Sequence, residues 1–152
     1  MGLKAITPEL PILIKLIDAT DNLSIQVHPD DKFALENEND NRKTEMWLIL
    51  ECEPNTYLYY GVNQNVTKEE LHNSITDGNF LSLLRKAPVQ RWDIFFIPAC
   101  TIHAIGKGIV ICEVQQCSNI TYQLYDFDRK DKDGKTRLLH IEKGPKVANL
   151  QV

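Results

Sequence analysis

Residues 24–31 read SIQVHPDD, an alternation of apolar and polar positions that is typical of a strand with one buried face. Side chains two apart on a strand share a face, so Gln26 and His28 project together while Ile25 and Val27 point the other way. The proline that follows ends the strand because it has no N–H to donate. The amide and the imidazole are either half of a metal site or an ordinary hydrogen-bonded pair, and this stretch alone leaves both interpretations open.

The composition indicates one globular domain spanning residues 1–152. Hydrophobic residues make up 43% of the chain, charged residues 25%, and the formal net charge is −4, which argues against a nucleic-acid-binding protein. The sequence has no apolar run of about 18 residues and no signal-peptide pattern at its start, so we expect a cytoplasmic protein without a membrane span. Its four cysteines lack C-x-x-C spacing, which favours structural thiols in a reducing compartment.

The pattern along the chain predicts an all-β fold with a short helical insert at about residues 67–86. Helices are expected at residues 30–36, 67–75 and 79–85. Strands are expected at residues 11–19, 24–28, 44–51, 56–62, 89–97, 103–105, 108–115 and 120–127. The turn at residues 20–22 predicts a hairpin between the first two strands. Many short strands separated by turns favour an antiparallel barrel or jelly roll.

Three further segments carry polar residues that can face the same interior. Glu45 opens a strand, His103 follows a proline-containing turn, and Glu113 lies among apolar residues, where a buried carboxylate needs a partner or a function. Two imidazoles and one carboxylate are a usual ligand set for a catalytic divalent metal, above all zinc. Gln26 can add a fourth, weaker oxygen ligand to His28 and these groups. Spacing alone leaves open that they are separate structural residues.

Four motifs in order resemble a known family. SIQVHPDD is followed by KTEMW at residues 43–47, FFIPACTIHAIGKGIVICEVQQ at 95–116 and YDFDR at 125–129. These stretches are similar to the type I phosphomannose isomerases, zinc-dependent cupins that interconvert mannose 6-phosphate and fructose 6-phosphate. The resemblance covers residues 11–142. It implies a cupin-type antiparallel β-barrel, one zinc ion per chain, a hexose 6-phosphate substrate and a role in carbohydrate metabolism.

The resemblance also assigns roles to individual residues. It implies a zinc ligand set of Gln26, His28, Glu45 and His103. Lys43 would lie beside the metal, near the substrate, and Glu113 would contact the substrate or handle a proton. Isomerisation of this kind passes through an enediol, which a Lewis-acidic metal stabilises.

The sequence departs from the family close to this site. Gln123 stands where the family has an arginine taken to be catalytic, Asn119 replaces an aspartate, and Cys117 replaces an asparagine. A neutral amide does not replace the fixed charge and paired donors of a guanidinium. An alternative is therefore a catalytically impaired cupin that binds metal and a sugar phosphate as a sensor or interaction module. Arg129 is six residues further on, roughly 20 Å along an ideal strand, and we do not assign it the missing role.

Two turns also depart from the family pattern. Trp92 and Cys100 occupy positions where the family has glycine, and glycine in a tight turn often provides a positive φ that other residues adopt at a cost. Asn55 replaces a turn glycine more readily. Counterparts of the family's flanking segments do not occur in these 152 residues, so the sequence is either an excised core or a single cupin. Strand edges that are exposed without those segments would make a homo-oligomer possible.

Overall fold

The computed structural model describes residues 12–152, and it shows two antiparallel sheets with few helices, as expected for a cupin-like β fold. The start of the expected first strand, at residue 11, lies outside the described residues. The strands are β1 (Ile12–Ala19), β2 (Ile25–Val27), β3 (Glu45–Cys52), β4 (Tyr57–Val62), β5 (Leu84–Pro88), β6 (Ile94–Ile97), β7 (His103–Ile105), β8 (Ile109–Gln116) and β9 (Tyr122–Tyr125). The helices are α1 (Asp31–Glu38), α2 (Lys68–Thr76) and α3 (Gly144–Val147), with one 3-10 turn at Phe80–Leu83.

The four-stranded sheet has the order β1-β8-β3-β6, and the five-stranded sheet has the order β5-β4-β7-β2-β9. Because β1 and β2 lie in different sheets, the predicted hairpin between them is wrong. The corner at residues 20–23 is instead tied to the connection between β7 and β8. Leu23 N donates to Ile105 O at 2.9 Å, and Lys107 N donates to Asn22 Oδ1 at 2.9 Å.

The five-stranded sheet is covered on both faces. Its inner face packs against the other sheet through an apolar cluster that includes Leu58, Ile105 and Trp47. Its outer face lies under α2, α3 and the 3-10 turn, in a second cluster that includes Ile25 and Tyr122. The period-two alternation of strand side chains therefore sends every second residue of β2, β7 and β9 into the space between the sheets.

The four-stranded sheet has an uncovered outer face of apolar side chains among the described residues. Strand register aligns them in two rows, Ile14–Val114–Met46–Phe96 and Leu16–Cys112–Leu48–Ile94. Leu16 is 75% exposed and Phe96 is 60% exposed. The inner face of the same sheet carries the ionisable residues described below.

The helical insert is shorter than predicted. Helix α2 begins as expected, with Thr67 and Glu70 forming both hydrogen bonds of a capping box. The expected helix at 79–85 is only the 3-10 turn, and Leu84 starts β5 by pairing with Val62 of β4. Sheet pairing thus overrides the local helical pattern.

Two other elements differ from the prediction. The strand expected at 89–97 begins only at Ile94, because a turn precedes it in which Gln90 N donates to Asp93 Oδ2 at 2.7 Å. The short helix α3 was not predicted. Its Gly144 allows close packing, since a Cβ there would lie 2.2 Å from a methyl carbon of Leu124. Among the helices of residues 12–152, none combines the length and apolar character needed to cross a membrane.

Candidate metal centre

Three polar side chains form a row across the inner face of the five-stranded sheet. Gln26 of β2 pairs with His103 of β7 on one side and with Gln123 of β9 on the other. Their neighbours Ile25 and Val27 are buried in the cluster under the helices, as the alternation in residues 24–28 predicts. The opposite sheet brings Glu45, at the start of β3, towards this row.

His28, Glu45 and His103 converge in the interior. One metal-capable atom from each lies within 4.8 Å of the others, and all three residues are at most 1% exposed. His28 Nε2 is 3.1 Å from Glu45 Oε1, and His103 Nε2 is 3.7 Å from Glu45 Oε2. The structure therefore brings together the two imidazoles and the carboxylate that the sequence marked.

Backbone carbonyls fix the orientation of both imidazoles. His28 Nδ1 donates to Ile120 O at 2.9 Å, and His103 Nδ1 donates to Thr101 O at 2.8 Å. A ring that donates from Nδ1 in its neutral form keeps its lone pair on Nε2, the atom that faces Glu45 here. This second contact to a carbonyl is the usual support for a metal-binding histidine.

The cluster contains buried polar atoms that the protein leaves unsatisfied. Within residues 12–152, neither His28 Nε2 nor Glu45 Oε1 has a hydrogen bond of acceptable geometry, although the two atoms are close. Buried polar atoms without partners are rare and call for an explanation. A divalent cation bound by both atoms would satisfy them, so the donor set fits a metal ion.

Titration of the cluster also favours a metal. Burial lowers the pKa of His103 to about 4, and the neighbouring His28 acts in the same direction. Burial alone would raise the pKa of Glu45, but the two imidazoles and Lys43 outweigh it and hold that pKa well below its usual range. At neutral pH His103 is therefore neutral and Glu45 is ionised, which are the forms that bind metals.

A residue in a left-handed conformation holds the backbone of His28. Cys100 has a φ of 69°, and its N–H donates to His28 O at 2.7 Å. Trp92 has a φ of 77° and Asn55 a φ of 63°. The positive φ values expected from the missing glycines are confirmed.

The four-stranded sheet supplies a charged network beside the cluster. Trp47 Nε1 donates to Glu45 Oε2 at 3.0 Å and to Glu113 Oε2 at 3.1 Å. Lys15 Nζ donates to Glu113 Oε1 at 2.9 Å, and the buried Lys43 Nζ lies 3.4 Å from Glu45 Oε1. Sequence reasoning missed Lys15, although a lysine between the apolar residues Ile14 and Leu16 was a signal for it.

A cavity of about 560 Å³ opens over this network. Its lining includes the predicted residues Gln26, Lys43, Glu45, Glu113 and Gln123. His28 and His103, both buried, are not among its lining residues. This volume is within the roughly 300–1,000 Å³ range of small-molecule sites.

Two arginines that the sequence did not assign also line the cavity, Arg129 and Arg137. The expectation that Arg129 lies far along a strand is wrong, because β9 ends at Tyr125 and positive φ values at Phe127 and Asp128 turn the chain back. Arg129 Nη1 donates to Asn22 O at 2.7 Å. Both guanidinium groups approach Asp126.

The fold and the cluster together define a class, that of cupin-like antiparallel β proteins with a buried His–Glu–His group able to hold a metal. Residues 2–57 match the family described as phosphomannose isomerase type I, catalytic domain. The mannose-6-phosphate isomerase of Streptococcus mutans is 47% identical over 140 residues, which are 92% of this chain and 44% of that protein. ManA of Bacillus subtilis, also a mannose-6-phosphate isomerase, is 48% identical over 138 residues, which are 90% of this chain and 44% of that protein.

Solved structures agree with this relationship. The mannose 6-phosphate isomerase of Bacillus subtilis superposes with a TM-score of 0.87 at 39% identity, over 95% of this chain and 46% of that one. A phosphomannose isomerase from Salmonella typhimurium, at 17% identity and a TM-score of 0.67, covers 94% of this chain and 55% of that one and shows the shared fold alone. The chain belongs to the type I phosphomannose isomerase family, and it spans less than half the length of the curated relatives that it matches.

Proposed function

We propose that this chain holds the zinc centre of an aldose–ketose isomerase that interconverts mannose 6-phosphate and fructose 6-phosphate. The proposed zinc ligands, for one ion per chain, are Gln26, His28, Glu45 and His103. The two imidazoles, the carboxylate and the amide oxygen match the borderline character of zinc. The relatives named above are mannose-6-phosphate isomerases, which supports this substrate. One domain over residues 1–152 and self-association both stay predictions.

The observation that carries the proposal is the set of side chains that line the cavity. Glu45 and Gln26 connect it to the buried cluster, while Arg129 and Arg137 line it as well. Guanidinium groups bind phosphate through paired hydrogen bonds, and their charge is permanent. A sugar phosphate therefore finds a metal-binding group for its sugar oxygens and arginines for its phosphate in one cavity.

The isomerisation moves one proton from C2 of the aldose to C1 and a second proton from the C2 hydroxyl to the C1 oxygen, with no net change in charge. Bound zinc would supply Lewis-acid stabilisation of the negative charge that develops on the sugar oxygens. Glu113, buried and held by Trp47 and Lys15, is the proposed group that takes up the proton from C2 and returns it at C1. The ammonium of Lys43 adds positive charge beside the same oxygens.

A second candidate function rests on Gln123. Its neutral amide lies on the inner row where the family has an arginine, so this position supplies no charge to the enediolate. A cupin that binds metal and a hexose 6-phosphate without turnover would need the cluster and the arginines but not that charge. Such a protein would act as a sensor or an interaction module.

A coupled assay separates the two candidates. The zinc-loaded chain is expected to form fructose 6-phosphate from mannose 6-phosphate and to lose this activity with a chelator. Glu113→Gln is expected to lower kcat by about 10²- to 10⁴-fold, the usual contribution of a proton-transfer group. Val114→Ala, one residue along β8 on the opposite face, is the matched control and should keep the wild-type kcat.

The assay has two outcomes that contradict the isomerase. A folded, zinc-loaded chain that binds mannose 6-phosphate but does not convert it supports the binding module, particularly if Gln123→Arg creates turnover. A chain that neither binds nor converts the sugar phosphate overturns both candidates.

A further inference from the structure

We propose that Gln123 is a positioning residue that lets the side-chain oxygen of Gln26 face the His28–Glu45–His103 cluster, and that it thereby raises the metal affinity of the chain. This inference rests on the metal centre proposed above. It concerns the residue at which this chain departs from its family, and it assigns that residue a hydrogen-bonding role instead of an electrostatic one.

The starting point is the pair of contacts that Gln26 makes. Gln26 Nε2 lies 3.3 Å from His103 Nε2, on the side of the cluster. Gln26 Oε1 accepts a hydrogen bond from Gln123 Nε2 at 3.3 Å, on the opposite side. In this orientation the amide presents N–H groups to the cluster, and an amide nitrogen has no free lone pair for a metal.

A half-turn of the amide of Gln26 exchanges the two ends. Oε1 then occupies the position beside His103 Nε2, where it can bind a cation, and the N–H₂ group lies opposite Gln123. That donor needs an acceptor, because a buried N–H without one costs about 1–3 kcal/mol. Whether Gln26 can act as a ligand is therefore decided by the residue opposite it.

Gln123 has the acceptor that this exchange requires. Its Oε1 is buried and has no hydrogen-bond partner within residues 12–152. A half-turn of its own amide brings this oxygen to the position next to Gln26, where the N–H₂ of Gln26 can donate to it. The arginine of the family pattern has five donors and no acceptor, so it could not accept this hydrogen bond from Gln26, whereas Gln123 can.

The backbone holds Gln123 in place for this contact. Gln123 N donates to His140 Nδ1 at 3.1 Å, and His140 N donates to Gln123 O at 2.7 Å. The β2–β9 register also aligns Gln123 with Gln26. Only the terminal amide has to turn, and neither strand needs to move.

The test uses the 152-residue chain and Co²⁺ as the probe, with affinity measured by chelator competition and coordination followed by the visible absorption spectrum. Gln123→Met removes the hydrogen bond but keeps the size and neutrality of the side chain. We expect it to weaken Co²⁺ binding by about 10-fold, at the low end of the 10–100-fold effect of outer-shell partners, and to change the spectrum. Gln123→Glu, which retains an acceptor, should bind Co²⁺ at least as tightly as the wild type.

A double-mutant cycle distinguishes positioning from a general effect on the fold. In a Gln26→Ala background, Gln123→Met should cause no further loss, because the two residues then no longer act together. An equal loss in both backgrounds, or wild-type affinity and spectrum for Gln123→Met alone, overturns the inference and leaves the metal centre intact. A wild-type chain that binds no Co²⁺ overturns the metal centre and the inference with it.

Discussion

Along β1, β3 and β8, each ionisable residue of the inner face is followed by an apolar residue on the outer face. These neighbouring pairs are Lys15 and Leu16, Glu45 and Met46, and Glu113 and Val114. Glu45 is 1% exposed and Glu113 4%, whereas Leu16 is 75% exposed and Met46 36%. Burying a charged side chain costs free energy unless it is paired, so the charged residues of the inner face indicate a functional role. The apolar residues of the outer face stay exposed and therefore contribute little to stability.

Substitutions on the two faces should differ most in their effect on metal affinity. Glu45→Ala removes the carboxylate that lies between the two imidazoles and should weaken Co²⁺ or Zn²⁺ binding by more than about 100-fold, beyond the usual effect of an outer-shell partner. Met46→Ala, its neighbour on the outer face, should stay within about twofold of the wild type. Chelator competition measures both, and a similar loss for the two variants would remove the functional distinction between the faces.

The second expected effect is a loss of stability in acid that depends on the cluster. His103 has a pKa of about 4 in the folded chain and about 6.5 when unfolded, so the unfolded state binds the proton first as the pH falls. The free energy of unfolding of the metal-free chain should therefore decrease between pH 6.5 and 4, by up to about 3 kcal/mol. The lowered pKa of Glu45 acts in the same direction below its unfolded value.

Urea denaturation at several pH values measures this loss. His103→Gln should flatten the dependence between pH 6.5 and 4, while Leu16→Thr should keep the wild-type slope. A wild-type slope in His103→Gln would assign the acid sensitivity to other groups.

The smallest expected effects are changes in the free energy of unfolding when a hydrogen-bond donor of the inner face or an exposed apolar side chain of the outer face is replaced. Trp47→Phe removes the indole N–H that donates to both Glu45 and Glu113 and should lower the free energy of unfolding by about 2 kcal/mol, the usual contribution of hydrogen bonds to charged groups. Leu16→Thr, on the exposed face, should change it by no more than about 0.5 kcal/mol. Urea midpoints check both values, and the reverse order would show that the outer face stabilises the fold.

The buried His28–Glu45–His103 cluster was predictable because its residues lie in short stretches with clear alternation. In residues 24–28 the period of two already assigns Gln26 to one face and Ile25 and Val27 to the other, and the structure confirms this. The motif order then added Glu45 and His103. Local patterns suffice where a side chain's direction is set by its own strand.

The remaining features depend on contacts between distant segments. The partner of β1 is β8, which no turn at residues 20–22 can specify. Arg129 reaches the cavity only because the chain reverses after β9, and Leu84 pairs with Val62 instead of continuing a helix. Lys15 contacts Glu113 across the β1–β8 register. Pairings of this kind are set by the tertiary fold, so local propensity does not reveal them.

The strand order has a consequence for the time at which the metal centre can form. Strand β2 lies between β7 and β9. Gln26 and His28 can therefore reach their final environment only after these two strands, which are synthesised much later, have paired with β2. During translation the N-terminal strands leave the ribosome without their partners, and pairing between distant segments is slow. The buried cluster is therefore complete only once β7 has paired with β2, and a cation bound there would stabilise the finished fold without guiding the early steps.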